Sequence, residues 1–316
     1  MKGLFYSIMI ALFIIPILAL ILFYSENQVP PNIDTSIRAD ELRYFSNSME
    51  GDLSRLLQIN GKRALIAAVN MTVATGNGLD NASLRLAEMI KYGTLYGNYP
   101  FPDTKNITTW EKNISDIALI SGFIVNFTSD LDASVSVTQN DSFSILFNAT
   151  LYNVNISDVT IGMGIFKNIS VAEAISITDL NVSDPLYSIK TNGTVFRIVR
   201  KSPFNKINDP SDLSNLTSDI ANGYYHESSV GPSFLDRLEN KASLSPIYVY
   251  GLESFVYLPE MPHANITASV LDYQYWTDIH GNLLNDSSQM PAYSWFRINL
   301  TASYDYGINS LLNTTT

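Results

Sequence analysis

No cysteine occurs in the 316 residues. The fold is therefore held without disulfides, and thiol catalysis and cysteine-ligated metal are ruled out. Histidine is almost as scarce. His226, His263 and His280 lie in separate polar or turn-rich segments and follow no ligand spacing. The sequence predicts exposed loop histidines, no metal site and no cofactor. Charge is sparse at 16% of residues and unbalanced, with 19 Lys+Arg against 30 Asp+Glu and a net charge of −11. That balance argues against a nucleic-acid partner and against docking on anionic lipid through a basic patch.

Motifs that carry reactions are also missing. Gly162-Met163-Gly164 sits in a strand-like pattern and is no phosphate cradle. Asp130-Leu131-Asp132 and Asn208-Asp209-Pro210 lack the register of a calcium loop. The best nucleophilic cluster is His226-Glu227-Ser228-Ser229 with Ser233 and Asp236 near by, but no nucleophile elbow accompanies it. Ser233 equally suits a helix cap, with Asp236 paired to Arg237 or Lys241. Glu253, Glu260, Asp272 and Asp278 could supply two carboxylates for glycoside hydrolysis, as could thirty acids in any β-rich protein. No catalytic residue is assigned.

What is present in excess is apolar sequence at the start. Residues 4–24, from Leu4 to Tyr24, carry no charge. As a helix they span roughly 30 Å, the thickness of a bilayer's hydrocarbon core. The run is longer than a secretory h-region and ends in Phe23-Tyr24-Ser25-Glu26 without a small-residue cleavage pattern. It is read as a retained single-pass anchor with the bilayer as its partner. Lys2 and the terminal amine keep residues 1–3 cytoplasmic and send the remainder outside. Cleavage after Gly3, freeing Leu4 as a new amino terminus, is the alternative that a prepilin-type leader would imply.

Asparagine is the second excess. Sequons N-x-[S/T] occur at Asn70, Asn81, Asn106, Asn113, Asn126, Asn140, Asn148, Asn155, Asn168, Asn181, Asn192, Asn215, Asn265, Asn285, Asn299 and Asn313, 16 of 29 asparagines. Random placement would catch roughly a fifth, so the count predicts N-glycosylation outside the cell. Asn70 is set apart because it falls inside the apolar run of residues 64–73. Dense sequons without cysteine suit a prokaryotic, and above all archaeal, envelope.

Periodicity then divides the chain. Residues 25–32 read as a spacer. Residues 33–97 read as a helical layer: one helix from Asp34 to about Ile59, a second over 62–75 that is apolar nearly all round, and a third capped by Asp80 or Asn81 and stopped by Gly93. Within residues 98–205, a helix over 109–130 precedes strands at 134–138, 143–155 and 159–166 in an antiparallel meander, then turns at Asp184-Pro185 and Asn192-Gly193 and a strand at 194–199. Within residues 206–312, a helix over 211–224 and a helical turn after residue 230 accompany strands at 247–258, 266–276 and 295–304, with Ile279-His280-Gly281-Asn282 as a hairpin tip. Residues 313–316 form a tail. The class is α+β, with a transmembrane helix, a membrane-proximal helical layer and an antiparallel β-rich ectodomain. The aromatics Tyr248, Tyr250, Phe255, Tyr257, Tyr273, Tyr275, Trp276, Tyr293, Trp295, Tyr304 and Tyr306 read mainly as cross-strand core, or else as a binding face.

The stretches DELRYFSNSMEGDLSRLLQINGKRALIAAVN, GLDNASLRLAEMIKYGTLYG, DPLYSIKTNGTVFRIVRKSPF and GPSFLDRLEN resemble a group of archaeal surface proteins with one N-terminal membrane helix. The resemblance covers nearly the whole chain. It implies an association with type IV pilus or secretion machinery, with envelope or pilus proteins as partners, and it brings no catalytic residues. The expected function is a membrane-anchored, N-glycosylated extracellular protein with a structural or assembly role. The alternatives are an extracellular module binding a glycan, solute or partner, and an envelope hydrolase.

Overall fold

The computed structural model describes residues 31–98, 106–127, 135–262, 269–284 and 288–312. Residues 4–24, the Gly3–Leu4 bond, the sequons at Asn265, Asn285 and Asn313, and His263 lie outside them. Among the described residues, no helix is long and apolar enough to cross a membrane.

The first element is α1, Pro31–Thr75, a single helix of 45 residues that runs on the order of 67 Å. Pro31 suits a first helical turn, where its missing N–H costs nothing, so the expected spacer is already helical there. The sequence suggested two helices broken near Asn60-Gly61. The buried stripe explains why there is one. Leu42, Met49, Leu53, Leu57, Ala64, Ala68 and Thr72 keep four- and seven-residue steps straight across the expected break. Gly61 is a contact, not a stop. A Cβ there would run into Ile175 and come within 3.1 Å of the Phe147 ring. The second half of the helix is buried on one side only, and Asn70 is exposed on the other.

The helix α2, Ala82–Tyr92, begins at Asn81, whose side chain accepts from the Leu84 N–H, and ends at left-handed Gly93. Those caps are the ones read from sequence. The helix α3, Ile107–Ile120, starts on an equivalent Asn106 cap but stops ten residues earlier than expected. Gly122, at φ 79°, turns the chain into strand β1, Phe123–Asn126.

Strand β3, Ser144–Asp158, is the centre of the sheet. Along one edge it pairs antiparallel with β4, Gly164–Ser176. Its other edge takes β2, Val135–Asp141, at the start and β1 at the end. The third strand had been placed at 159–166. Those first residues form the β3–β4 turn instead, because the Asp158 carboxylate accepts the N–H groups of Thr160 and Ile161 and Gly162 takes φ 68°. The three helices cover one face of this sheet, and together they enclose the first core.

Beyond residue 184 the chain is built from short pieces around a second core that contains Phe255, Phe296 and Tyr306. These are α4 (Pro185–Lys190), α5 (Ser214–Asn222), β5 (Tyr225–Ser228), α6 (Phe234–Leu238), β6 (Gly251–Ser254), α7 (Asp272–Trp276), β7 (Asn282–Leu283), β8 (Arg297–Ile298) and α8 (Leu300–Asp305). The α+β class holds, but long strands do not. The segment 194–199 makes only an isolated pairing of Ser183 with Ile198. The strand expected over 247–258 shortens to β6, which pairs with β5. Asp272 and the residues after it are helical, and Asn299 caps α8 where a strand had been read. The expected hairpin tip at 279–282 is no tip, since β7 pairs with the distant β8 and the chain reverses at Asp278, φ 57°. Alternating aromatics misled here: they alternate because they line a core, not because they share a ladder.

Gly61→Leu is predicted to destabilise the fold by about 1–3 kcal/mol in urea titration, although leucine is the better helix former, because α1 cannot move away from Phe147 and Ile175. Unchanged stability would show that α1 and the sheet are not in close contact there.

Candidate functional site

His226 lies on β5 and is buried, not exposed as its polar surroundings suggested. Its Nε2 is 2.8 Å from Asp219 Oδ2 on α5. The other oxygen of Asp219 accepts from Ser202 Oγ at 2.5 Å. A serine nucleophile needs the histidine between serine and aspartate. Here the aspartate stands between serine and histidine, so the imidazole cannot take the hydroxyl proton. The ring meets Tyr306 edge-on at 5.8 Å. Tyr306 in turn donates to Glu253 at 2.8 Å, and Lys206 Nζ reaches the same carboxylate at 2.6 Å. Burial and the Glu253 charge push the Tyr306 phenol well above its ordinary range.

The remaining members of the cluster are occupied elsewhere. Ser228 Oγ accepts from the N–H groups of Val230 and Gly231 in a turn. Ser233 and Asp236 form a capping box at the start of α6, and Asp236 also takes the backbone N–H of Ser245. The cap reading of Ser233 therefore holds, while Arg237 turns away from Asp236.

Arg237 is fully buried, with Nη1 2.6 Å from Asp184 Oδ2 and Nη2 2.8 Å from Asp272 Oδ2. Tyr225 donates to the same oxygen of Asp184 at 2.7 Å. Ser254 Oγ bridges Tyr187 and Asp272, both at 3.0 Å. Burial pushes the Asp272 carboxyl up, Arg237 pulls it down, and neighbouring Asp184 adds to the rise. Nothing in the sequence joined Asp184, Arg237 and Asp272, which come from the cap of α4, from α6 and from α7.

The acids considered for glycoside hydrolysis do not face one another across a cleft. Glu253 and Asp272 are buried on their cationic partners, whereas Glu260 and Asp278 are exposed. Among the described residues, no group of three or more His, Asp or Glu could hold a metal ion. His280 is exposed. Of the aromatic set, Phe255 and Tyr306 are fully buried, Tyr248 is 9% exposed, and Tyr257, Tyr293 and Trp295 stack edge-to-face against the second core. Only Tyr250 and Tyr304 stand out, flanking a depression of about 700 Å³ with Ile207 and Val249.

The sequon asparagines divide by environment. Asn81, Asn106 and Asn299 are helix caps, and Asn106 is buried. Asn113, Asn126, Asn140, Asn155, Asn168, Asn181, Asn192 and Asn215 are exposed, and Asn148 is half-buried. Asn181 and Asn192 sit in left-handed turns, Asn192 beside Gly193 as expected.

Two measurements probe these buried groups. Arg237→Met is predicted to cost about 3–5 kcal/mol in chemical denaturation, since it leaves two buried carboxylates uncompensated. Adding Asp184→Asn and Asp272→Asn should recover part of that loss; a cost below about 1 kcal/mol for Arg237→Met would contradict the triad. Burial pushes the Glu111 carboxyl on α3 up to about 7. The folded state thus favours its protonated form, and the stability this gives is complete below about pH 4.3 and lost as pH rises through 7. Glu111→Gln should gain about 1 kcal/mol at pH 8, allowing for solvent screening, and nothing near pH 4. Equal urea midpoints at pH 8 would refute it.

No protein-family model, curated protein or solved structure matches the chain.

Proposed function

We propose that the chain is a single-pass, membrane-anchored protein of the cell surface, N-glycosylated, with a structural or assembly role. The anchor is residues 4–24, and the apolar end of the body nearest to it carries the reading. Seven residue steps separate Tyr24 from Pro31, so the start of α1 stays within about 25 Å of the apolar segment. At that end Ile37 is 51% exposed, Leu119 68%, Ile120 88% and Val159 61%. Arg38 fastens α1 to Asp158 at 2.7 Å, and the Val159 N–H reaches the Gly122 carbonyl, so these side chains share one tip. An apolar tip facing a bilayer needs no other cover.

The interior supports the same reading by what it leaves unarmed. Among the described residues, Ser202, Asp219, His226, Glu253 and Arg237 are each held by protein partners, and no serine hydroxyl meets a histidine. A chain whose apolar segment 4–24 lies within a few residues of the long helix α1 suits assembly. Freed at Leu4 by cleavage after Gly3, that segment could bundle with other copies, which is the pilus-associated form of the proposal. The depression between Tyr250 and Tyr304 favours the second reading, a module that binds a glycan or partner through exposed aromatics.

The absence of cysteine makes the test clean. The full chain is placed in liposomes with one environment-sensitive label, at Ile120→Cys or at Val249→Cys near the β2–β3 turn, roughly 45 Å along β3. The label at 120 should shift to the blue and be quenched by lipid-borne quenchers, and the label at 249 should not. Recovery of the full chain in the aqueous fraction would end the anchor reading.

A further inference from the structure

Among the described residues, the face of the sheet turned away from α1 carries one charged side chain, Asp141 at the end of β2 beside Ser144. Alternation along the strands sends Ser136, Thr138, Thr150, Tyr152, Ser170 and Ala172 to that side, and each is exposed or half-buried. The charges of β4 point the other way. Lys167 pairs with Glu50 at 2.7 Å, and Glu173 accepts from Ser54. An open sheet face with so little charge lacks the usual source of solubility. Sequon asparagines stand on it: Asn126 on β1, whose hydroxyl partner Thr128 lies outside the described residues, and three whose partners are described, Asn148 and Asn155 on β3 and Asn168 on β4.

These three differ from the sequons on helices. In a strand, residues i and i+2 share a face, so the asparagine and its hydroxyl partner stand together: Asn148 with Thr150, Asn155 with Ser157, Asn168 with Ser170. On a helix they do not, and the backbone claims one of the pair. Thr72, two residues after Asn70, donates to the Val69 carbonyl. Ser115, after Asn113, donates to Glu111, and Thr217, after Asn215, to Leu213. Asn81, Asn106 and Asn299 spend their own oxygens as caps. Asn140 on β2 donates its Nδ2 to Asp141 and Ser144. No hydrogen bond to a described residue engages Nδ2 of Asn148, Asn155 or Asn168; Asn168 uses only its Oδ1, for the Asn153 N–H. Phe166 is the register partner of Asn155 and 70% exposed, an apolar plate on which a first sugar ring can lie.

We infer that the open sheet face is the glycan-bearing face, with Asn148, Asn155 and Asn168 as its attachment sites. The inference rests on the surface-protein reading and narrows it to one side of the molecule. The donor is an oligosaccharide joined through its anomeric carbon to a lipid phosphate, and a membrane transferase supplies catalysis. Asparagine Nδ2 attacks the anomeric carbon, an N–C bond forms, the C–O bond to phosphate breaks, the lipid phosphate leaves, and one amide proton passes to a base of the transferase.

Glycopeptide mass spectrometry of the full chain recovered from its own envelope tests this. Sugar is expected on Asn148, Asn155 and Asn168, and bare amide on buried Asn106. Thr150→Ala, which keeps the asparagine but destroys its sequon, should remove the sugar from Asn148 alone. Bare strand asparagines beside glycosylated Asn70, Asn113 or Asn215 would overturn the inference and leave the surface reading intact. A membrane-bound chain with every asparagine bare would overturn both the inference and the glycan part of that reading.

Discussion

Burying a guanidinium is tolerable only where carboxylates meet it, and Arg237 is the place where this chain accepts that constraint. Its helix, α6, contributes Phe234, Leu235 and Leu238 to the core shared by the long helix and the sheet. Asp272 belongs to a segment whose apolar neighbours Val270 and Leu271 sit in the other core. Asp184 caps α4 between them through the Leu186 N–H. The triad therefore joins two hydrophobic bodies that would otherwise meet through ordinary apolar contact. Such a junction contributes little net stability, because desolvation offsets the attraction. What it contributes is position: two carboxylates and one fork-shaped cation fit in one arrangement.

The same network explains why the interior looks chemically rich: its polar groups are partners of one another. Tyr187, Tyr225, Ser254 and Asp272 would each attract notice in a cleft. Here Tyr187 and Tyr225 are fully buried, and burial drives both phenols up, so neither gives up its proton near neutral pH. His226 and Asp219 form a second closed system beside it. A buried polar group must find a partner. A fold without disulfides, with charge on only 16% of its residues, has reason to spend polar groups this way.

Local signals were legible and distant ones were not. Asn81 with Gly93, Asn192 with Gly193, and Ser233 as a cap could be read because each is settled within a few residues of itself, whereas Asp236 pairs with Ser233 and not with Arg237 or Lys241. The strand β4 was displaced because Asp158 and Gly162 make a turn from residues that also alternate, and period two does not say where a ladder begins. The helix break at Asn60-Gly61 failed for the opposite reason: glycine served close approach to Phe147, a residue 86 positions away. The triad was beyond reach, since Asp184 and Arg237 are 53 positions apart and only the fold brings them together. His226 was misjudged because a polar local sequence says nothing about what Tyr306 and α5 place over it.

The distribution of charge ties the fold to its surroundings. An ordinary two-layer protein keeps its interface between helix and sheet apolar and sets its charges toward water. Along α1 this protein runs Arg38–Asp158 and Lys167–Glu50 between the layers and leaves the outer sheet face, among the described residues, with Asp141 as its one charge. Ion pairs at the edge of an interface fix the register of a long helix on a sheet, since a shift by one turn separates each pair by about 5.4 Å. Register matters most for a helix whose direction decides where the rest of the molecule stands. An outer face with so little charge is a poor way to stay in solution alone and a good one for a surface that something else covers. On the reading proposed here, attached sugar supplies that cover, and the charges it replaces are free to hold the rod in place.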